Sequence, residues 1–203
     1  MAITTAQRDL AARAAAIARQ SIEAARADTN LSEIGRQRLM AQAYLKARAQ
    51  MEHLREEETE TVRGRRAELE RRLFGLDKPT AADVITVRDA QDRAEAARNA
   101  DEASKLLARA ERIGDQTLAR AVAQVSADRG YWHTFDEWSR TRPDTHELIA
   151  ELGDIDDLLD PTQRVGRDMA FALQVPDELK AYAHNPGQLQ KIADGATLQT
   201  TQG

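Results

Sequence analysis

The chain has no cysteine among its 203 residues, which excludes disulfide frameworks, thiolate metal sites and cysteine nucleophiles. Aromatic residues make up only 4%. Proline and glycine are also sparse, at 5 and 10 residues, and from Ser32 to Phe74 there is no proline and only two glycines, Gly35 and Gly64. Nowhere do the ~18 apolar residues of a membrane span run together, and Met1 to Thr5 show no basic stretch leading into an apolar one. The expected protein is therefore neither secreted nor membrane-spanning. Net charge is −5 with both signs interspersed, which argues against a dedicated nucleic-acid binder.

What is abundant is Ala, Arg, Glu, Leu and Gln, the strong helix formers. The expected class is all-α. Because alanine inflates the 41% apolar fraction and buries little area, a deep single core is not expected. At 1.5 Å per residue, an unbroken helix over Ser32–Phe74 reaches roughly 60 Å, so it must lie against other helices or other chains.

Ahead of that rod, Ile3, Leu10, Ile17, Ala24 and Leu31 recur at intervals of seven, with Ala6, Ala14 and Ala18 beside them, predicting a helix that packs by a narrow stripe. Asp28-Thr29-Asn30 favours a bend and Ser32 a new cap, giving an antiparallel hairpin or, if the turn is read through, a longer rod. Within the rod Met40, Tyr44, Ala47, Met51 and Leu54 form a coiled-coil seam. It stutters through Glu58 and Val62 and resumes at Leu69, Leu73 and Leu76. Between Glu52 and Arg72 there are seven acidic and six basic residues, the pattern of a solvated face. Gly75 and Pro79 end the rod.

Thr80 with Asp83 makes a capping box for a helix through Val84, Val87, Gln91 and Ala94 that ends or kinks near Asn99. Leu106 to Val125 then keeps helical spacing, favouring a continuous helix through Gly114-Asp115 up to a stop at Gly130. Tyr131, Trp132, Phe135 and Trp138 hold four of the eight aromatic residues and should anchor a local core or a partner contact. Pro143 starts a helix through Leu148 and Leu152, closed by Gly153. Seven acidic residues and no Lys or Arg between Asp144 and Asp160 would suit a basic partner. The calcium-loop reading of Asp154–Asp160 fails because Leu159 and Val165 stand where Gly and Glu are needed. Met169, Phe171, Leu173 and Val175 alternate as in a strand. The preferred reading is a helix from Pro161 running into an extended Gln174-Val175-Pro176, and the alternative is a strand joining another chain's sheet. After a short helix near Pro176 to Ala183, Asn185-Pro186-Gly187 should break the chain before a flexible or partner-ordered tail.

The expected division is thus a helical hairpin or coiled-coil arm over 1–76, a bundle of shorter helices over 79–185 and a tail over 186–203. No phosphate-binding loop, nucleophile elbow, dinucleotide fingerprint or paired-histidine motif is present, and His53, His133, His146 and His184 lack ligand spacing. The expectation is a non-enzyme without cofactor, metal or small-molecule substrate. Its interface residues would be Met40, Tyr44, Ala47, Met51 and Leu54 in the seam, Leu69, Leu73, Phe74 and Leu76 at the foot of the rod, and the aromatic face of Trp132, Phe135 and Trp138.

Three stretches carry a resemblance: Leu31-Ser32-Glu33-Ile34-Gly35-Arg36 opening a rod that ends Arg71-Arg72-Leu73-Phe74-Gly75; Ala108-Arg109-Ala110-Glu111-Arg112-Ile113-Gly114-Asp115 leading to Leu118-Ala119-Arg120-Ala121-Val122; and Arg167-Asp168-Met169-Ala170-Phe171. Together they resemble a set of uncharacterised helical proteins of actinobacterial phages and prophages, encoded near head-assembly genes. The resemblance implies a virion protein made in the host cytoplasm, a minor capsid or head–tail connection component whose partners are its own copies and phage head proteins. The alternatives are a capsid assembly scaffold, or a cytoplasmic coiled-coil regulator binding a host protein or nucleic acid through Arg36, Arg38, Lys46, Arg48 and Arg55.

Overall fold

The structure is a computed structural model and describes residues 4–75 and 80–195. It is all-α, and no strand occurs among the described residues. In chain order the helices are α1 (Thr5–Ala27), α2 (Glu33–Phe74), α3 (Ala81–Glu95), α4 (Ala100–Ile113), α5 (Gln116–Arg129), α6 (Trp132–Arg140), α7 (His146–Leu159), α8 (Arg164–Asp168) and α9 (Pro186–Ala193). Short 3-10 turns occupy Pro143–Thr145, Pro161–Gln163, Met169–Phe171 and Asp177–Tyr182.

The chain divides into two compact units, one of Met1–Arg63 with Leu158–Gly203 and one of Gly64–Asp157. The divisions differ from the expected boundaries at 76–79, where the residues lie outside the described ones, and 185–186. The divisions fall inside helices α2 and α7, where no proline or loop marks them, because helix propensity continues across a change of packing partner.

In the first unit α1 and α2 form the antiparallel hairpin. Asp28 Oδ1 accepts from the Asn30 backbone N–H at 2.8 Å, and Ser32 Oγ accepts from Gly35 N–H at 3.1 Å. Asp28 thereby closes the turn and Ser32 opens α2. Arg36 adds hydrogen bonds to the Asp28 and Leu31 carbonyls across the turn. The face that α1 buries is Ala11, Ala14, Ala18, Ile22 and Ala25. The heptad expected to pack does not: Leu10 and Ile17 are 47% and 65% exposed. Small residues win the inner face because α2 already supplies bulk there. Ala11 and Ala14 cluster with Met51 and Leu54, and Ile22 and Ala25 with Met40, Ala41 and Tyr44.

The C-terminal segment of this unit covers the hairpin. After Phe171 the backbone is extended through Ala172–Pro176, with Phe171 buried and Leu173 and Val175 half-buried, while Ala172 and Gln174 face out. The strand-like alternation holds from Phe171 to Val175 but not at Met169, which is 72% exposed in a 3-10 turn, and it reports an extended strap that packs by alternate side chains without a β-ladder. Of the expected tail over 186–203, residues 196–203 lie outside the described ones, and the first part requires a larger correction: Pro186–Ala193 is a helix, capped by Asn185 Oδ1 on Gln188 N–H at 3.1 Å, with proline at its first turn. Asn-Pro-Gly here starts a helix and does not end structure. Leu189, Ile192 and Ala193 are buried against Met40, Ala41 and Tyr44. Arg38 and Gln42 donate to the Ala193 carbonyl at 3.3 and 2.7 Å, satisfying the end of α9.

The second unit contains the shorter helices. The Thr80–Asp83 capping box forms as expected. Gly75 accepts no side chain, since a Cβ there would lie 2.3 Å from the Arg71 carbonyl oxygen. The preferred continuous helix through Gly114 is overturned: Gly114 has φ +74° and Asp115 Oδ1 caps α5 through Leu118 N–H at 3.0 Å. A left-handed residue followed by an N-cap is a helix stop and restart, which outweighs the apolar period running through it. Gly153 likewise does not close α7, which continues to Leu159. Val84 and Val87, expected on the packed face of α3, stay outside it; Ala90 and Ala94 are buried instead.

Candidate interaction surfaces

Of the twelve candidate interface residues, the seam residues are consumed by the chain itself. Met40, Tyr44, Ala47, Met51 and Leu54 are between 3% and 7% exposed. Within the chain, Met40 and Tyr44 cluster with residues of α1 and α9, and Met51 and Leu54 with residues of α1 and Phe171. At the foot, Leu69 and Leu73 are buried, and Leu76 lies outside the described residues. Phe74 meets Phe135 and Trp138 with ring centroids 6.5 and 5.8 Å apart, and Phe135 lies 5.9 Å from Trp138. These three rings close the core of the second unit together with Leu107, Leu118 and Val122. The sequence pattern assigns Phe74 and the aromatic face to separate contacts; the structure joins them within one core.

A polar clamp surrounds this cluster. Arg142 lies 5.0 Å over the Trp138 ring and donates to Glu111 at 2.8 Å, Gln116 at 2.6 Å and the Trp138 carbonyl at 3.0 Å. Its planar fork serves several acceptors at once, a geometry lysine cannot reproduce. Trp132, by contrast, is 62% exposed at the first position of α6. It is the one of the three aromatic candidates left open to a partner.

The charged residues are used locally. Arg65 makes a paired contact to Glu151 at 2.7 and 2.8 Å, which holds the Glu151 carboxyl below its usual range, and Arg66 meets Asp156 at 2.6 Å. Two members of the acidic α7 stretch thus find their basic partners in the same unit. In the first unit Arg26 grips Glu178 at 2.6 and 2.9 Å, and this hydrogen-bonded guanidinium lowers the Glu178 pKa to about 2. Of the five residues proposed as a basic face, Arg36 and Arg38 bond carbonyls, Arg48 pairs with Glu52 and Arg55 with Asp168. Lys46 is exposed.

Two shallow grooves flank the strap in the first unit. The larger, about 350 Å³, runs over Ala15, Ala18, Ile22 and Tyr44 with Arg19, Glu23 and Arg26 at its rim. The smaller, about 260 Å³, has Arg48, Glu52, Arg55 and Asp168 around Met51 and Phe171. Opposite charges alternate at both rims. In the second unit Ser104 Oγ donates to Glu137 Oε2 at 2.7 Å and His133 Nδ1 lies 3.8 Å from the same oxygen. The serine is thus bonded to the carboxylate and not to the imidazole, so the order a charge-relay nucleophile needs is not present. No group of three or more His, Asp or Glu side chains suited to a metal ion occurs among the described residues. Among them, too, no helix is long and apolar enough to cross a membrane.

What sequence reasoning missed is the apolar surface. Val84, Ile85 and Val87 on the first two turns of α3 are 52%, 73% and 37% exposed, and no residue from Ala81 to Asp89 is buried. The signal was available: four consecutive β-branched residues, Val84-Ile85-Thr86-Val87, are poor helix formers with no alanine-rich stripe of their own. Comparison with known proteins yields no matching family model, no similar curated protein and no similar solved structure.

Proposed function

We propose that this protein is a non-enzymatic structural component of a phage head or head–tail connection, working through helical protein–protein contacts and retained in the particle. The phage assignment rests on the sequence resemblance of residues 31–175. The observation that carries the contact reading is the start of α3, where Val84, Ile85 and Val87 share a helix end that leaves no side chain in the core. Contiguous apolar surface of this kind, bordered by Asp83, Arg88 and Asp89, is the ordinary mark of a protein contact. Leu10 and Ile17 on α1 and Trp132 on α6 supply further apolar points, each on the outer side of a helix whose inner side is filled.

Quantitative mass spectrometry of purified particles and of their assembly precursors tests this reading. The expected result is the chain in both, at a fixed ratio to the major head protein. Presence in precursors alone would make it a scaffold. Absence from both would remove the virion role and leave the cytoplasmic regulator, which predicts duplex DNA or host-protein binding by the purified chain.

A further inference from the structure

Glu58 is the only charged residue among the buried polar side chains of the described structure, at 1% exposed. Its Oε1 accepts from Arg8 Nε at 2.8 Å, while its Oε2 is buried without a hydrogen-bond partner. A buried carboxylate satisfied on one side only is a poor stabilising element, because desolvation of the charge exceeds what a single partner returns. Its position suggests another use. Glu58 continues the seam Met51–Leu54 by one turn, where leucine would extend the apolar row.

Apart from Ile22, the buried α1 face does little to define its alignment on α2. Ala11, Ala14, Ala18 and Ala25 have no shape to distinguish one alignment from the next, and Ile22 is the one bulky contact beside them. A slip of α1 by seven residues would replace Ala11, Ala14 and Ala18 by Ala18, Ser21 and Ala25, which are equally small. The same slip would put Ala15 in the place of Arg8, and slips of three or four residues would put Ala11 or Ala12 there. In the opposite direction the place falls to Thr5, Thr4 or Met1. No shift of one or two turns returns a basic side chain to Glu58. Each would leave a buried carboxylate with no countercharge, the most costly outcome in a helix seam.

We infer that the Arg8–Glu58 pair is a register lock, which selects one alignment of α1 on α2 against the slipped alignments that an alanine face would otherwise permit. It acts by penalising the alternatives, in the way a single polar residue fixes the register of a coiled coil.

The cysteine-free chain allows spin labels at Ala16→Cys and Glu56→Cys, both outward-facing, with distances read by double electron–electron resonance. The parent should give one narrow population. Glu58→Leu should melt no earlier than the parent yet show a second population, displaced by up to about 10 Å for a two-turn slip at 1.5 Å per residue. The exchanged pair Arg8→Glu with Glu58→Arg should restore a single population at the parent distance. A single unchanged population in Glu58→Leu, or a clear fall in its melting temperature, would overturn the lock and leave the pair an ordinary stabilising contact. So would multiple populations in the exchanged pair.

Discussion

The two units solve the problem of building a core from an alanine-rich chain in opposite ways. The second unit concentrates bulk: Phe74, Phe135 and Trp138 meet in one place, and α3, α4 and α5 bring alanines up close around Leu107, Leu118 and Val122. Its elements are near neighbours in sequence, joined by turns at Gly114 and Gly130, both with positive φ. The first unit has no such centre. It spreads Met40, Tyr44, Met51 and Leu54 along one helix and covers them with alanines from α1 and with a segment more than a hundred residues later in the chain. One unit is held by a focal cluster of local origin, the other by a long zipper closed by its C-terminal cover. In a zipper no single residue dominates, but the cover is indispensable.

The sharpest way to test that contrast is to empty the centre of one unit and lift the cover of the other. Trp138 is 1% exposed and touches both other rings, so Trp138→Ala should cost about 3–5 kcal/mol. Urea unfolding followed by the fluorescence of Trp132 would register the loss in that unit. Leu189 is fully buried in α9, and Leu189→Ala should cost about 2–4 kcal/mol, at the lower part of the range for leucine because a short terminal helix can shift to relax the cavity. Hydrogen exchange should then show lost protection in α9 and around Met40–Tyr44, with the amides around Trp138 unaffected. If Leu189→Ala cost nothing, α9 would be an ornament and the hairpin would stand alone.

The all-α class, the bend at Asp28–Asn30 and the capping box at Thr80 were legible because each rests on local chemistry: helix propensity, an Asx turn and a reciprocal cap, whereas the choice of a hairpin over a longer rod was left open. The seam residues were also identified, but periodicity reports only that a face is buried. It does not report whether another part of the same chain covers it. That is why Met51 and Leu54 read as an interface between molecules and turn out to lie under α1. The α1 heptad failed for a related reason. Leu10 and Ile17 are two of the three large apolar residues of that helix, yet opposite Met51 and Leu54 the alanines fit and these two are displaced outward, while Ile22 alone keeps its bulk inside. α9 was hidden because Asn185-Pro186-Gly187 is ambiguous: the same residues that end a helix also begin one, as N-cap and first turn.

A smaller effect separates the units by their turns. Gly114 has φ +74° and open space where an added methyl group would stand, so Gly114→Ala meets no neighbour and is opposed only by the backbone. The expected cost is about 1–2 kcal/mol, confined to the second unit and measurable as a lowered midpoint without a change in the slope of the denaturant curve.

The smallest expected effect lies in the cover of the first unit and depends on pH. Arg26 holds the Glu178 carboxylate with two hydrogen bonds, and the Glu178 pKa falls from the usual 4.5 to about 2. Because the folded state binds this proton less readily than the unfolded state, the pair's contribution is fully present above pH 4.5 and is lost as pH falls through that window towards 2. Arg26 stays charged throughout, so the carboxylate alone sets the slope. Glu178→Gln removes the titrating group while keeping side-chain shape. Its melting temperature should lie slightly below that of the parent at pH 7, and the difference should shrink steadily as the pH is lowered below 4.5. Partial solvent exposure of both side chains keeps the effect small, since water and salt screen an ion pair at the surface. A constant difference at every pH would mean that the C-terminal cover is held by Leu189 and its apolar neighbours, and that Arg26 and Glu178 only decorate its edge.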